Sequence, residues 1–99
     1  MTGVTDGLPE VFMIGNLLDD RLRLLAPLGI HWEKEGEHYI ASCEEFAQFG
    51  YGDDALQAVD DLRQSLAELY WTLKSSQRSL SKGLAQIWEH LQEVIQERI

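Results

Sequence analysis

Carboxylates occur as adjacent pairs four times in this chain of 99 residues: Asp19-Asp20, Glu44-Glu45, Asp53-Asp54 and Asp60-Asp61. Paired carboxylates can hold a divalent cation for phosphoryl transfer. Neighbours on a strand point to opposite faces, however, and neighbours on a helix diverge by about 100°. Helix caps and solvated faces therefore explain the pairs better than a nuclease centre does. His31 and His38, with Glu33 beside them, fall diagonally on one face of an expected hairpin and could offer donors to zinc. No fourth ligand accompanies them, so no metal site is assigned. His90 lies on the polar side of an expected helix. Cys43 is the only thiol. A nucleophilic role would need a base and a thiolate-stabilising setting. Its alternation with Tyr39 and Ala41 places it toward the core instead, as an inert buried thiol. No catalytic residue, cofactor or metal is assigned, and the chain is read as a non-enzyme.

The aromatic residues carry more information. Trp32 belongs to the expected sheet core. Tyr70, Trp71 and Trp88 border the apolar stripes of two expected helices, and a small domain has little interior in which to cover them. Tyrosine and tryptophan are enriched at interface centres. These three are the candidate contacts with a partner or with a second copy.

The totals limit the function classes. A chain of 99 residues makes one domain. The composition is 44% hydrophobic and 25% charged, ordinary for a globular protein. Asp plus Glu number 17 against 8 Lys plus Arg, a net charge of −9. That balance argues against nucleic-acid binding, which needs basic groups to neutralise phosphates. Solubility is one reason for it; attraction to a small basic protein is another. A single cysteine excludes an internal disulfide and fits a cytoplasmic setting. No apolar run approaches membrane-spanning length, so no membrane association is expected. Met1 to Gly7 shows no leader pattern.

Residues 1–20 read as an N-terminal arm: a loose tail to Pro9, then an apolar stretch (Val11, Phe12, Met13, Ile14) that is a short strand or a docked segment. Residues 21–52 read as the sheet. Arg21 and Arg23 alternate with Leu22 and Leu24, as in a strand, although a turn capped by Asp19 or Asp20 remains open. Residues 28–43 form a hairpin with its turn at Glu35-Gly36. Lys34 then pairs with Glu37, Glu33 with His38, Trp32 with Tyr39, Ile30 with Ala41 and Leu28 with Cys43. A third strand follows over 46–51. Residues 53–74 form the main helix, capped by Asp53 or Asp54. Its stripe is Ala55, Val59, Leu62, Leu66, Leu69 and Leu73, widened by Leu56 and Tyr70. Residues 80–98 form a C-terminal helix, capped by Ser79 or Ser81. Its stripe is Leu84, Ile87, Leu91 and Val94, with Trp88 and Ile95 beside it. The expected architecture is α+β: a three- to four-stranded antiparallel sheet covered by one long helix, plus the C-terminal helix.

The stretch 32–70 resembles the HicB-like antitoxin superfamily. The matching residues are Gly36, then Tyr39-Ile40-Ala41, then Cys43-Glu44-Glu45-Phe46, then Gly50-Tyr51-Gly52-Asp53, then Ala55-Leu56. The resemblance implies a truncated ribonuclease H-like fold without that enzyme's carboxylate set. In complete family antitoxins, it further implies a domain that masks a small, basic, RNA-cleaving toxin. Cys43 and Ala47 stand where the family usually has prolines, and the turn into the helix is shorter than usual. Nothing after Leu73 resembles the family's DNA-binding segment, so the expectation is a stand-alone, self-associating interaction protein. A structural subunit and a metal-dependent nuclease remnant are the alternatives.

Overall fold

Alternating apolar and polar residues over 28–43 put two central strands back to back, and the rest of the sheet is added to their edges. The computed structural model describes residues 9–98. The reading of the first residues as a loose tail lies outside them. The chain runs β1 (Val11–Ile14), β2 (Leu22–Leu24), β3 (Leu28–Glu35), β4 (His38–Cys43), β5 (Gln48–Gly52), α1 (Ala55–Ser75), α2 (Lys82–Val94) and β6 (Ile95–Glu97). Four strands form an antiparallel sheet in the order β1-β3-β4-β5, and β2 pairs with β6 in a separate two-stranded clasp. The architecture is α+β. The expected arm therefore contributes an edge strand to the sheet, and Leu22–Leu24 leaves it for the clasp.

The hairpin keeps the expected faces but shifts its pairing by two residues. Glu35 pairs with His38, Lys34 with Tyr39 and Trp32 with Ala41. Gly36 has φ +63°. The loop is therefore Gly36-Glu37, with glycine in the first position, where a type II′ turn needs positive φ. A shift of two preserves parity. Leu28, Ile30, Trp32, Ala41 and Cys43 all stay on the buried face. Trp32 and Tyr39 still meet, now diagonally, with ring centroids 5.6 Å apart.

Residues 44–46 form a single 3₁₀ turn that ends at Ala47 in the left-handed region, φ 53°. The third sheet strand consequently begins later than expected, at Gln48. It turns Gly50 and Gly52 toward α1. A Cβ on Gly50 would lie 2.3 Å from the Leu62 nitrogen and 2.4 Å from the Ala58 oxygen. One on Gly52 would lie 2.6 Å from the Ala58 nitrogen. The helix backbone rests directly on that of the strand because neither residue has a side chain.

Asp54 caps α1, accepting from the Gln57 N–H at 2.8 Å, while the Gln57 side chain accepts from the Asp53 N–H at 3.1 Å. These reciprocal bonds satisfy two donors at the helix start. Ala55, Ala58, Val59, Leu62 and Leu66 lie buried along the covering face. Leu56 is exposed, contrary to the expected widening of the stripe, and so is Leu84 on α2. Leu84 shares the face of Trp88 and Leu91 but lies in the exposed first turn of α2.

The C-terminal helix is shorter than expected. It starts at the Ser81 cap and stops at Val94, where Ile95 becomes extended, φ −122°. The strand that follows pairs Leu24 with Ile95 and Leu22 with Glu97. Backbone bonds from Leu25 to Val94 and from Arg98 to Arg21 lengthen this ladder at both ends.

His90 pins α2 to the 3₁₀ turn. Its Nε2 meets the Glu45 carboxylate at 2.5 Å, its Nδ1 meets Glu93 at 3.3 Å, and its ring lies 5.0 Å from Phe46. The bond to Glu45, seconded by Glu93, raises the His90 pKa above the usual 6.5. The stabilisation from a raised pKa is complete below the unfolded value and disappears as pH rises through the folded one. In urea melts from pH 5.5 to 8.5, the stability difference between wild type and His90→Ala should be greatest below about pH 6.5. It should shrink steadily above that.

Candidate interaction surface

The sheet has one face under the helices and one open. Register alone places the open-face residues. Val11, His31, Ser42 and Phe49 form one row across the four strands. Glu33, Ile40 and Tyr51 form the next, and Glu35 and His38 the last. Phe49 is 52% exposed and Tyr51 60%. Ile40, between β3 and β5, is half-buried. An antiparallel sheet with one wet face usually carries polar residues there; this one carries an apolar centre.

Carboxylates edge that centre. Toward the hairpin tip, an open depression is lined by Glu35, His38, Ile40, Tyr51 and Asp53. Toward the opposite end, another is lined by Val11, His31, Ser42, Glu44 and Glu45. No lysine or arginine occupies an open-face position in the four strands: Lys34 has the inner parity and sits over the Tyr39 ring, 5.8 Å from its centroid. The surface thus joins aromatic area to negative charge.

The sequence-predicted contacts lie elsewhere. Tyr70 is 5% exposed and Trp88 7%, with ring centroids 5.1 Å apart in the core. The Tyr70 hydroxyl donates to Glu97 at 2.8 Å. Burial, then the Glu97 carboxylate, push its pKa up to about 12. Lys74 reaches the same carboxylate at 2.5 Å and, with Tyr70, holds it below the usual range. Trp71 is half-buried, and its indole N–H donates to Asp19 at 3.0 Å. The Arg21 guanidinium lies 4.5 Å from the Trp71 ring centroid. Hydrogen bonds from Arg21, with further help from Trp71, hold the Asp19 carboxyl down at about 2. The β2–β6 clasp covers Tyr70 and Trp88, and Arg21 covers Trp71. As placed, Tyr70 and Trp88 tie α1 to the C-terminal segment, and Trp71 holds the turn at Asp19–Arg21.

Most of the paired acids also have internal partners. Asp19 holds Arg21 and Trp71, Glu45 meets His90 and Asp54 caps α1. Asp60 bonds Arg63, and Asp61 accepts the Tyr51 N–H at 3.0 Å. Among the described residues, no three His, Cys, Asp or Glu side chains gather where a metal could bind. The shifted register separates His31, opposite Ser42, from His38, opposite Glu35. Four residues of strand, roughly 13 Å, lie between the two positions, so they are not the expected diagonal pair. Cys43 is fully buried, and desolvation raises its pKa, the opposite of an activated thiol. No helix among the described residues is long and apolar enough to cross a membrane.

The alternation of the hairpin puts Ile40 on its outer face as the one apolar exception, but sequence reasoning did not single out Phe49 and Tyr51 as surface residues. A signal was present: Gly50 and Gly52 alternate with Phe49 and Tyr51, and only the glycine side of such a strand can lie against a helix backbone. No protein-family model, curated protein or solved structure matches the chain.

Proposed function

We propose that this chain is a non-enzymatic, HicB-like interaction protein that binds a small basic protein through the open face of its sheet. One observation carries the reading: Ile40, Phe49 and Tyr51 form an apolar centre, edged by Glu33, Glu35, Asp53 and Glu44, with no lysine or arginine at the open-face positions of the four strands. A partner matched to it offers an apolar anchor ringed by lysine or arginine. The anchor supplies affinity by leaving water, and the charges supply approach rate and selectivity. A small ribonuclease toxin has that chemistry in the family that residues 32–70 resemble. The element order supports the same reading: hairpin, short turn, short strand, glycine approach and long helix follow as the resemblance implies. The setting proposed is the cytoplasm, where the buried Cys43 stays a thiol.

Affinity capture from the native host at low salt tests this. The expected result is a small basic protein, encoded beside this chain, whose recovery falls as salt is raised. Capture of no basic polypeptide at low salt would count against the antitoxin-type role.

A further inference from the structure

The two edges of the sheet are finished differently. On β5, the outward Tyr51 N–H is taken by Asp61 of α1 at 3.0 Å. On β1, the Glu10 carbonyl accepts from the Trp32 N–H at 2.9 Å. That bond fixes the ladder: Phe12 opposite Ile30 and Ile14 opposite Leu28 are the hydrogen-bonded pairs with β3. Val11 and Met13 therefore aim their N–H and C=O groups away from the sheet. No hydrogen bond among the described residues occupies them. Folded proteins commonly protect such an edge with a charge, a proline or a covering element. Val11–Ile14 contains neither a charged residue nor a proline; Pro9 and Glu10 precede it.

We propose that β1 pairs antiparallel with β1 of a second copy, joining two four-stranded sheets into one. The edge is self-complementary. A two-fold axis beside Phe12 sets Val11 against Met13 of the second copy. Both residues aim their backbone groups outward, so they form the hydrogen-bonded type of antiparallel pair. The same contact recurs with the copies exchanged, which closes the assembly as a symmetric dimer. Val11 is 67% exposed and Met13 60%, both on the open face, so their side chains become cross-strand neighbours in the dimer. The paired stretch Val11–Met13 is uncharged, and the two-fold axis sets Glu10 against Ile14 of the second copy, which spares two chains of net charge −9 a like-charge contact at the seam. This surface is separate from Phe49 and Tyr51, which lie at the far edge of the sheet.

Sedimentation equilibrium on the full chain, from micromolar to near-millimolar concentration, tests the pairing. The wild type should approach twice the 11.3 kDa protomer mass. Met13→Pro removes an outward N–H and leaves the β3 ladder intact. Two of the four bonds across the seam are lost, which should weaken association by roughly ten- to a hundredfold. Met13→Lys should do the same through edge charge, and it decides the matter if the proline variant does not fold. Both are checked by circular dichroism for an unchanged fold. A wild type that stays monomeric throughout would overturn the proposal. So would folded Met13 variants that dimerise like wild type.

Discussion

Gly50→Ala should unfold the protein or leave it barely stable. The added methyl would meet the Leu62 nitrogen at 2.3 Å and the Ala58 oxygen at 2.4 Å, and both are helix backbone atoms. A flexible side chain could swing aside; a helix held by its cap and by buried Val59, Leu62 and Leu66 cannot. Relief requires lifting α1 from β5, which opens the centre of the core. We expect a loss of at least about 3 kcal/mol, at the upper end of the overpacking range. A domain of this size has only about 5–15 kcal/mol in total. Gly29→Ala is the control. Its new Cβ would meet only the Met13 sulfur, at 3.7 Å, on the open face. Urea melts should show it within about 0.5 kcal/mol of wild type, as for surface substitutions generally. Equal effects at the two glycines would mean that α1 does not rest on β5 as described.

Trp88→Ala should be the second large loss, about 3–5 kcal/mol by the usual cost of truncating a buried aromatic. Trp88 packs on Tyr70, whose hydroxyl reaches Glu97 of β6. Removing the indole therefore loosens α2, the clasp and the end of α1 together. For a domain this size, each kcal/mol moves the melting temperature by about 4–8 °C, so the shift should be unmistakable by calorimetry. Leu84→Ala, in the exposed first turn of the same helix, should cost far less. The pair also separates two roles for Trp88. A tryptophan acting as an outward contact would leave Tm unchanged on truncation and change only association. A tryptophan acting as packing gives the melting shift, and Trp88→Phe recovers part of it.

Much of this arrangement was legible in the residues, for identifiable reasons. Parity placed Leu28, Ile30, Trp32, Ala41 and Cys43 inside, because a side-chain period of two survives any even error in register. The error itself came from putting Gly36 second in the turn instead of first, and it carried the histidines with it. The main helix was legible from its stripe and from the Asp53-Asp54 cap. The clasp was not. Ile95–Glu97 is three residues long and continues the apolar spacing of α2. Its partner lies more than seventy positions earlier, and local pattern cannot encode so distant a pairing. One hint existed: the alternation of Leu22 and Leu24 with Arg23 called for a strand partner that no other segment supplied. The clasp bears on the candidate contacts: the Tyr70 hydroxyl reaches Glu97 of β6, a residue that the apolar spacing of α2 places in a helix, and Trp88 packs on Tyr70.

The decisive measurement concerns the division of the sheet into a face for folding and a face for binding. Phe49→Asp combined with Tyr51→Asp adds charge only to the open face. Its melting temperature and its capture of a basic protein from host extract should be measured side by side with wild type. The account predicts a melt within a few degrees of wild type, as expected for exposed positions, together with loss of the captured protein. A double variant that unfolds would show that Phe49 and Tyr51 belong to the core. One that captures the same basic protein undiminished would place the binding surface elsewhere.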